Sequence, residues 1–185
     1  MRARVLVLFM VLASGFVSST VDSQAEEIKP HFPASMQELR LTAGYLLPHR
    51  LTKDHVTEQE GPALMPLWEM VLHELVGDGW YQGQTTVGAE AVCIEFREPV
   101  LTHGIGFTPE IKYTCVALDR LRPYVEFAGG PFWNDLGGRI PKESSRLNFI
   151  MTAGVGVSWF LTHQTVLNVG YRFHHISNAV PAHAC

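Results

Sequence analysis

From residue 39 to residue 177 the chain alternates apolar side chains with polar or small ones at a period of two, in successive segments separated by Pro and Gly. The clearest case begins at Leu147. Leu147, Phe149, Met151, Ala153, Val155, Val157, Trp159 and Leu161 share one parity, while Asn148, Ile150, Thr152, Gly154, Gly156, Ser158 and Phe160 share the other. Successive side chains of a strand point to opposite faces, so this is an apolar stripe opposite a face of mostly small and polar residues. A soluble sandwich would carry Lys, Glu and Asp on its solvent face, and here there are none. The pattern predicts a strand whose apolar side meets lipid and whose other side packs a tight lumen.

The remaining segments extend this prediction. Leu39, Leu41, Ala43, Tyr45 and Leu47 alternate with Arg40, Thr42 and Gly44, giving a first strand that ends at Pro48. From 64 to 75 a strand competes with a helix, since Met65, Trp68 and Leu72 also fit helical spacing; the strand is preferred, with a turn at Gly77-Asp78-Gly79. Residues 85–96 form a third strand whose two faces are both mixed, so its outward side stays open. Ile111, Tyr113, Cys115 and Ala117 oppose Glu110, Lys112 and Thr114, and a break at 119–122 follows. Val125, Phe127 and Trp133 then oppose Tyr124, Glu126, Ala128, Gly130 and Asn134, ahead of a solvent-exposed loop over 135–145. After a turn at 162–164, Leu167, Val169, Tyr171 and Phe173 make the last apolar face, which continues at the same parity into His175 and Ser177.

This gives seven strands, whereas single-chain bacterial barrels close with an even number. The tail 180–185 does not alternate. The expected fold is therefore all-β, a small antiparallel transmembrane β-barrel of nominally eight strands with the last one missing, whose free edge would be costly in lipid.

The first 25 residues read differently. Arg2 and Arg4 precede an apolar run from Val5 to Val17, and Ser23-Gln24-Ala25 is a small-x-small cleavage site. Residues 1–25 are expected to be a signal peptide for export to the outer membrane of a Gram-negative cell, and 26–185 the barrel domain. The net charge of −4, with Lys and Arg scattered, argues against a nucleic acid partner. Three Cys leave one unpaired in any arrangement. A hairpin turning near Gly104 would set Cys93 opposite Cys115, so a disulfide and two free thiols both stay open. No metal-ligand spacing appears among the Cys, and His174 and His175 point to opposite faces and cannot chelate together.

An imidazole and a hydroxyl two residues apart on one strand face are neighbours, which permits a base and a nucleophile for ester hydrolysis. The stretch that carries them, Gly170-Tyr-Arg-Phe173 followed by His175-Ile-Ser177-Asn178-Ala179, resembles the motif of the outer-membrane lipid A 3-O-deacylases, or acyloxyacyl hydrolases. Leu67-Trp-Glu69, Leu121-Arg-Pro-Tyr-Val-Glu126 and Gly154-Val-Gly156 are similar to the family's pattern more weakly. The resemblance implies a hydrolase acting on lipid A of lipopolysaccharide, with Ser177 as nucleophile, His175 as base and Asn178 as oxyanion donor. It implies no cofactor and no metal, outer-membrane lipid as surroundings, and compatibility with a homodimer. The family's third member, a Glu about a dozen residues beyond the Ser, has no counterpart in this sequence, and Val180 stands where the family tends to have a small residue. Impaired activity is the corresponding expectation. The rivals are a non-catalytic small barrel with a structural or adhesive role and a soluble periplasmic lipocalin-like binder.

Overall fold

The computed structural model describes residues 4–15, 33–48, 50–52, 55–56, 59–116, 120–136, 139, 145–162 and 165–178. Among the described residues there are ten strands: β1 (Arg4–Gly15), β2 (Gln37–Leu47), β3 (Arg50–Thr52), β4 (His55–Val56), β5 (Gly61–Val71), β6 (Gly83–Phe96), β7 (Thr102–Cys115), β8 (Leu121–Asn134), β9 (Leu147–Phe160) and β10 (Thr165–Asn178). Eight of them form a closed antiparallel barrel in the order β1-β10-β9-β8-β7-β6-β5-β2, and β3 pairs with β4 in a separate ribbon. Neighbours in sequence are neighbours in the wall from β5 onward, so each pair is a hairpin.

The seven strands expected from the alternation are β2 and β5 to β10. The eighth place is taken by β1, from the stretch with a leader pattern. It pairs with β10 from Arg4↔Ile176 to Gly15↔Thr165, and with β2 from Val7↔Leu47 to Gly15↔Leu39. Both flanking strands would otherwise present rows of unpaired backbone groups, and an apolar stretch without Pro can satisfy both edges.

The apolar stripes point outward. On β9 the odd-numbered positions are exposed, with Val155 at 56%, whereas Asn148, Ile150, Thr152, Ser158 and Phe160 are buried in the lumen. That stripe spans roughly 40 Å along the strand and about 30 Å along the axis of a barrel with typical tilt, enough for a hydrocarbon core. Trp133 and Trp159 sit at opposite ends of it, as interfacial aromatics do. Tyr171, a third aromatic on the outward face, lies at mid-strand opposite Val155. An apolar exterior over a packed interior is the reverse of a lipocalin-like binder, and that rival falls.

The lumen has two zones. Its middle holds buried Arg40, Arg172, Glu69, Glu90, Glu110, Glu126 and Lys112. Toward the end where β6 stops and β7 begins, Leu46, Ile94, Phe96, Phe132, Ile150 and Ile176 belong to an apolar cluster. Phe96 and Phe132 meet edge to face there, with centroids 6.4 Å apart.

Several boundaries differ from those expected. The 64–75 segment is strand β5, ending at Val71, with no helix. β7 starts at Thr102, and the β6–β7 hairpin turns over 97–101 rather than near Gly104. Gly104 and Gly106 lie inside the strand because the Phe132 ring fills the space their side chains would need; a Cβ on Gly106 would sit 2.8 Å from that ring. Cys93 is consequently opposite Ile105 and Cys115 opposite Gly83, ten positions apart along β6, roughly 33 Å. Both thiols are free. The expected break at 119–122 lies earlier in the chain, at 116–120: β8 begins at Leu121, and the buried Arg122 stacks 4.6 Å from the Phe160 ring.

Candidate functional site

β10 carries the candidate residues, and its two faces have different partners. Inward lie Asn168, Arg172, His174 and Ile176; outward lie Val169, Tyr171, Phe173, His175 and Ser177. His175 and Ser177 therefore emerge together at the lipid-facing end of the strand, opposite Met151 and Phe149 of β9. The Ser177 hydroxyl donates a long hydrogen bond, 3.4 Å, to the Phe149 carbonyl. Asn178 closes β10 opposite Asn148, and Val180 lies outside the described residues.

Elsewhere the outward positions of the belt carry almost no polar groups. At the same end of the barrel they return: Glu95 of β6 is opposite His103 of β7, with carboxylate and imidazole 3.9 Å apart. The pair on β10 thus sits where the apolar belt gives way to a polar rim. From β2 onward this end bears the connections 48–60, 97–101 and 135–146 and the other end 72–82, 116–120 and 161–164, while the 21 residues between β1 and β2 also join at that other end.

His174 belongs to the other face. It is fully buried and its Nδ1 lies 3.0 Å from the Thr152 hydroxyl, so it is a lumen residue. Among the described residues no cluster of three His, Cys, Asp or Glu could hold a metal ion. No described helix is long and apolar enough to cross a membrane, which says nothing of strands.

The lumen around Arg172 is dense with charge. Its Nη1 donates to both oxygens of Glu90 at 2.7 and 2.9 Å, its Nη2 to Glu110 at 2.9 Å, and its Nε to Glu126. Arg40 bonds the remaining oxygens of the latter two, Glu110 through Nη2 and Glu126 through Nη1 at 3.3 Å. Glu126 faces the lumen as its parity predicted. Lys112 pairs with Glu69 of β5 at 2.7 Å, and Thr86 donates to the second oxygen of Glu69. Arg40 and Glu90 escaped notice in the sequence; the signal was there, as a charged residue at inward parity in β2 and in β6, and only the closed wall shows that both reach the same cluster.

The profile of the family described as Lipid A 3-O-deacylase (PagL) matches residues 40–181. This chain belongs to that family. No curated protein and no solved structure matches it. The matched range takes in every described strand from the middle of β2 onward, including His175, Ser177, Arg40 and Arg172.

Proposed function

We propose that this chain is an outer-membrane ester hydrolase that removes an ester-linked hydroxyacyl chain from lipid A, with Ser177 as nucleophile and His175 as base. The observation that carries this reading is the shared outward placement of the two side chains at the end of β10, where the belt meets the polar rim. With residues 1–25 removed as a leader, the two longest connections that remain, 48–60 and 135–146, lie at this end, and outer-membrane barrels turn their longer connections outward from the cell, toward the leaflet that holds lipopolysaccharide. The substrate's acyl chain can then stay in the bilayer while its ester reaches Ser177.

In the proposed reaction His175 takes the proton from the Ser177 Oγ as that oxygen attacks the ester carbonyl. Asn178 donates to the oxyanion of the tetrahedral intermediate. Collapse expels the sugar alkoxide, which recovers the proton from the imidazolium, and leaves the acyl chain on Ser177. Water, deprotonated by His175, then releases the free hydroxy fatty acid and restores the hydroxyl. Export is assigned to residues 1–25, with 26–185 as the barrel domain.

The second reading, a non-catalytic barrel with a structural or adhesive role, draws on a specific observation. Among the described residues no carboxylate is bonded to His175, and an imidazole without an orienting acid loses tautomer control. Incubating the folded protein in detergent with lipid A distinguishes the two: the hydrolase liberates free hydroxy fatty acid and the Ser177→Ala variant does not, whereas an inert barrel liberates none in either form.

A further inference from the structure

We propose that Arg172 is a positioning residue for His175 and Ser177: its guanidinium, clamped by carboxylates from three other strands, fixes from inside the barrel the strand end that carries the pair outside. This rests on the reading of that pair as the active site.

The contacts of β10 are asymmetric. Outside, His175 makes no side-chain hydrogen bond among the described residues, and Ser177 makes one of 3.4 Å. Inside, Arg172 engages Glu90 of β6, Glu110 of β7 and Glu126 of β8 through all three of its nitrogens, and it is 1% exposed. Charge-assisted bonds of this kind are short and directional, and the planar fork of Arg holds an angle that the single ammonium of Lys cannot. Arg40 bonds the outer oxygens of Glu110 and Glu126, so those carboxylates are oriented from both sides.

The wall is shaped to let this happen. A Cβ on Gly154 of β9 would lie 2.6 Å from Glu126 Oε1 and 3.0 Å from Arg172 Cγ; the glycine leaves the room in which the two meet. Beyond Arg172 the inward side chains of β10 are anchored as well, His174 to Thr152 and Ile176 within the apolar cluster. Between residues 172 and 177, roughly 17 Å of strand, the ladders to β1 and β9 are therefore reinforced by side-chain anchors on the interior face. Hydrolysis requires nucleophile and base held within about 0.5 Å of productive geometry, which the outer contacts of the pair do not provide.

The test compares Arg172→Lys with Lys112→Met in the full chain folded in detergent micelles. Both leave buried carboxylate without its full complement of donors, but Lys112 and its partner Glu69 lie on β7 and β5, away from β10. Folding is checked by heat-modifiable gel migration. Two readouts follow: kcat and KM on lipid A, and amide hydrogen exchange of the segment 174–178. Positioning predicts that Arg172→Lys lowers kcat at least tenfold with KM within twofold and speeds exchange in that segment, while Lys112→Met changes neither. Unchanged exchange at 174–178 in Arg172→Lys, or equal effects of the two variants, overturns the proposal. If the native chain releases no fatty acid, the hydrolase reading fails, and the exchange comparison still decides whether Arg172 orders the strand end.

Discussion

Tyr124 of β8 reaches over the neighbouring strand to Gly170 of β10: a Cβ on Gly170 would lie 2.5 Å from the phenolic oxygen, and one on Gly156 of β9 would lie 2.5 Å from the ring carbon that bears it. The two glycines are register partners, so together they form a notch that receives a buried side chain. Enlarging Gly170 to Val forces the ring or the wall to move and should destabilise the barrel by about 1–3 kcal/mol, the usual range for overpacking. Tyr124→Ala should restore part of that loss when combined with Gly170→Val, because the two changes act on one space. Denaturant unfolding of the four forms in micelles measures it; strict additivity would mean that the notch is not what the glycines provide.

The exterior makes a separate prediction. Val155 lies at mid-belt and is 56% exposed, so in a soluble protein Val155→Arg would be nearly neutral. In a lipid-facing belt it should cost about 2–4 kcal/mol and reduce folding into vesicles. Equal folding yields for the native and variant chains in phospholipid vesicles would contradict a transmembrane exterior.

The lumen is filled across its width by the Arg40–Arg172 cluster and, nearer the rim, by the apolar cluster around Phe96 and Phe132. The folded protein is accordingly expected to show no steady single-channel conductance in a planar bilayer. A regular conductance step would mean that the interior opens.

The N-terminal stretch makes a prediction that bears on the wall itself. The leader pattern predicts that the protein isolated from the outer membrane begins at Glu26, as intact mass spectrometry would show. Loss of residues 1–25 vacates the place of β1 and leaves the edges of β2 and β10 to be closed by another strand. A mass that includes Arg4–Gly15 would instead make β1 a permanent part of the barrel.

How far the sequence could be read depended on whether a strand keeps one polarity on each face. β9 does: its outward side is apolar and its inward side mostly small or polar, and its orientation was legible residue by residue. β6 does not, because its inward side passes from Thr86 and Glu90 in the charged zone to Val92, Ile94 and Phe96 in the apolar one. The outward Val87, Ala89 and Ala91 then leave both faces mixed, and alternation alone cannot orient it. The start of β7 was hidden for a related reason: Gly104 read as part of a turn, yet it and Gly106 yield space to a side chain from β8, a long-range fact. The outward parity of His175 and Ser177 was readable because it depends only on counting by two along one strand. The ion cluster beneath them was not, since its members come from β2, β6, β7, β8 and β10 and meet only when the wall closes.

If Ser177 and His175 act as a unit, replacing either by Ala should lower lipid A hydrolysis by a factor on the order of 10³ or more, and replacing both should cost little beyond one. Steady-state rates of fatty acid release from the three variants test this. Multiplying losses would show that the residues act independently.

The most direct test of the central claim is a mass spectrum of lipid A from a Gram-negative host expressing this chain, beside one from a host expressing Ser177→Ala, with both proteins located in the outer membrane. The account predicts that lipid A loses the mass of one hydroxyacyl group with the native chain and stays intact with the variant. Intact lipid A in both hosts, or the same loss in both, would contradict it.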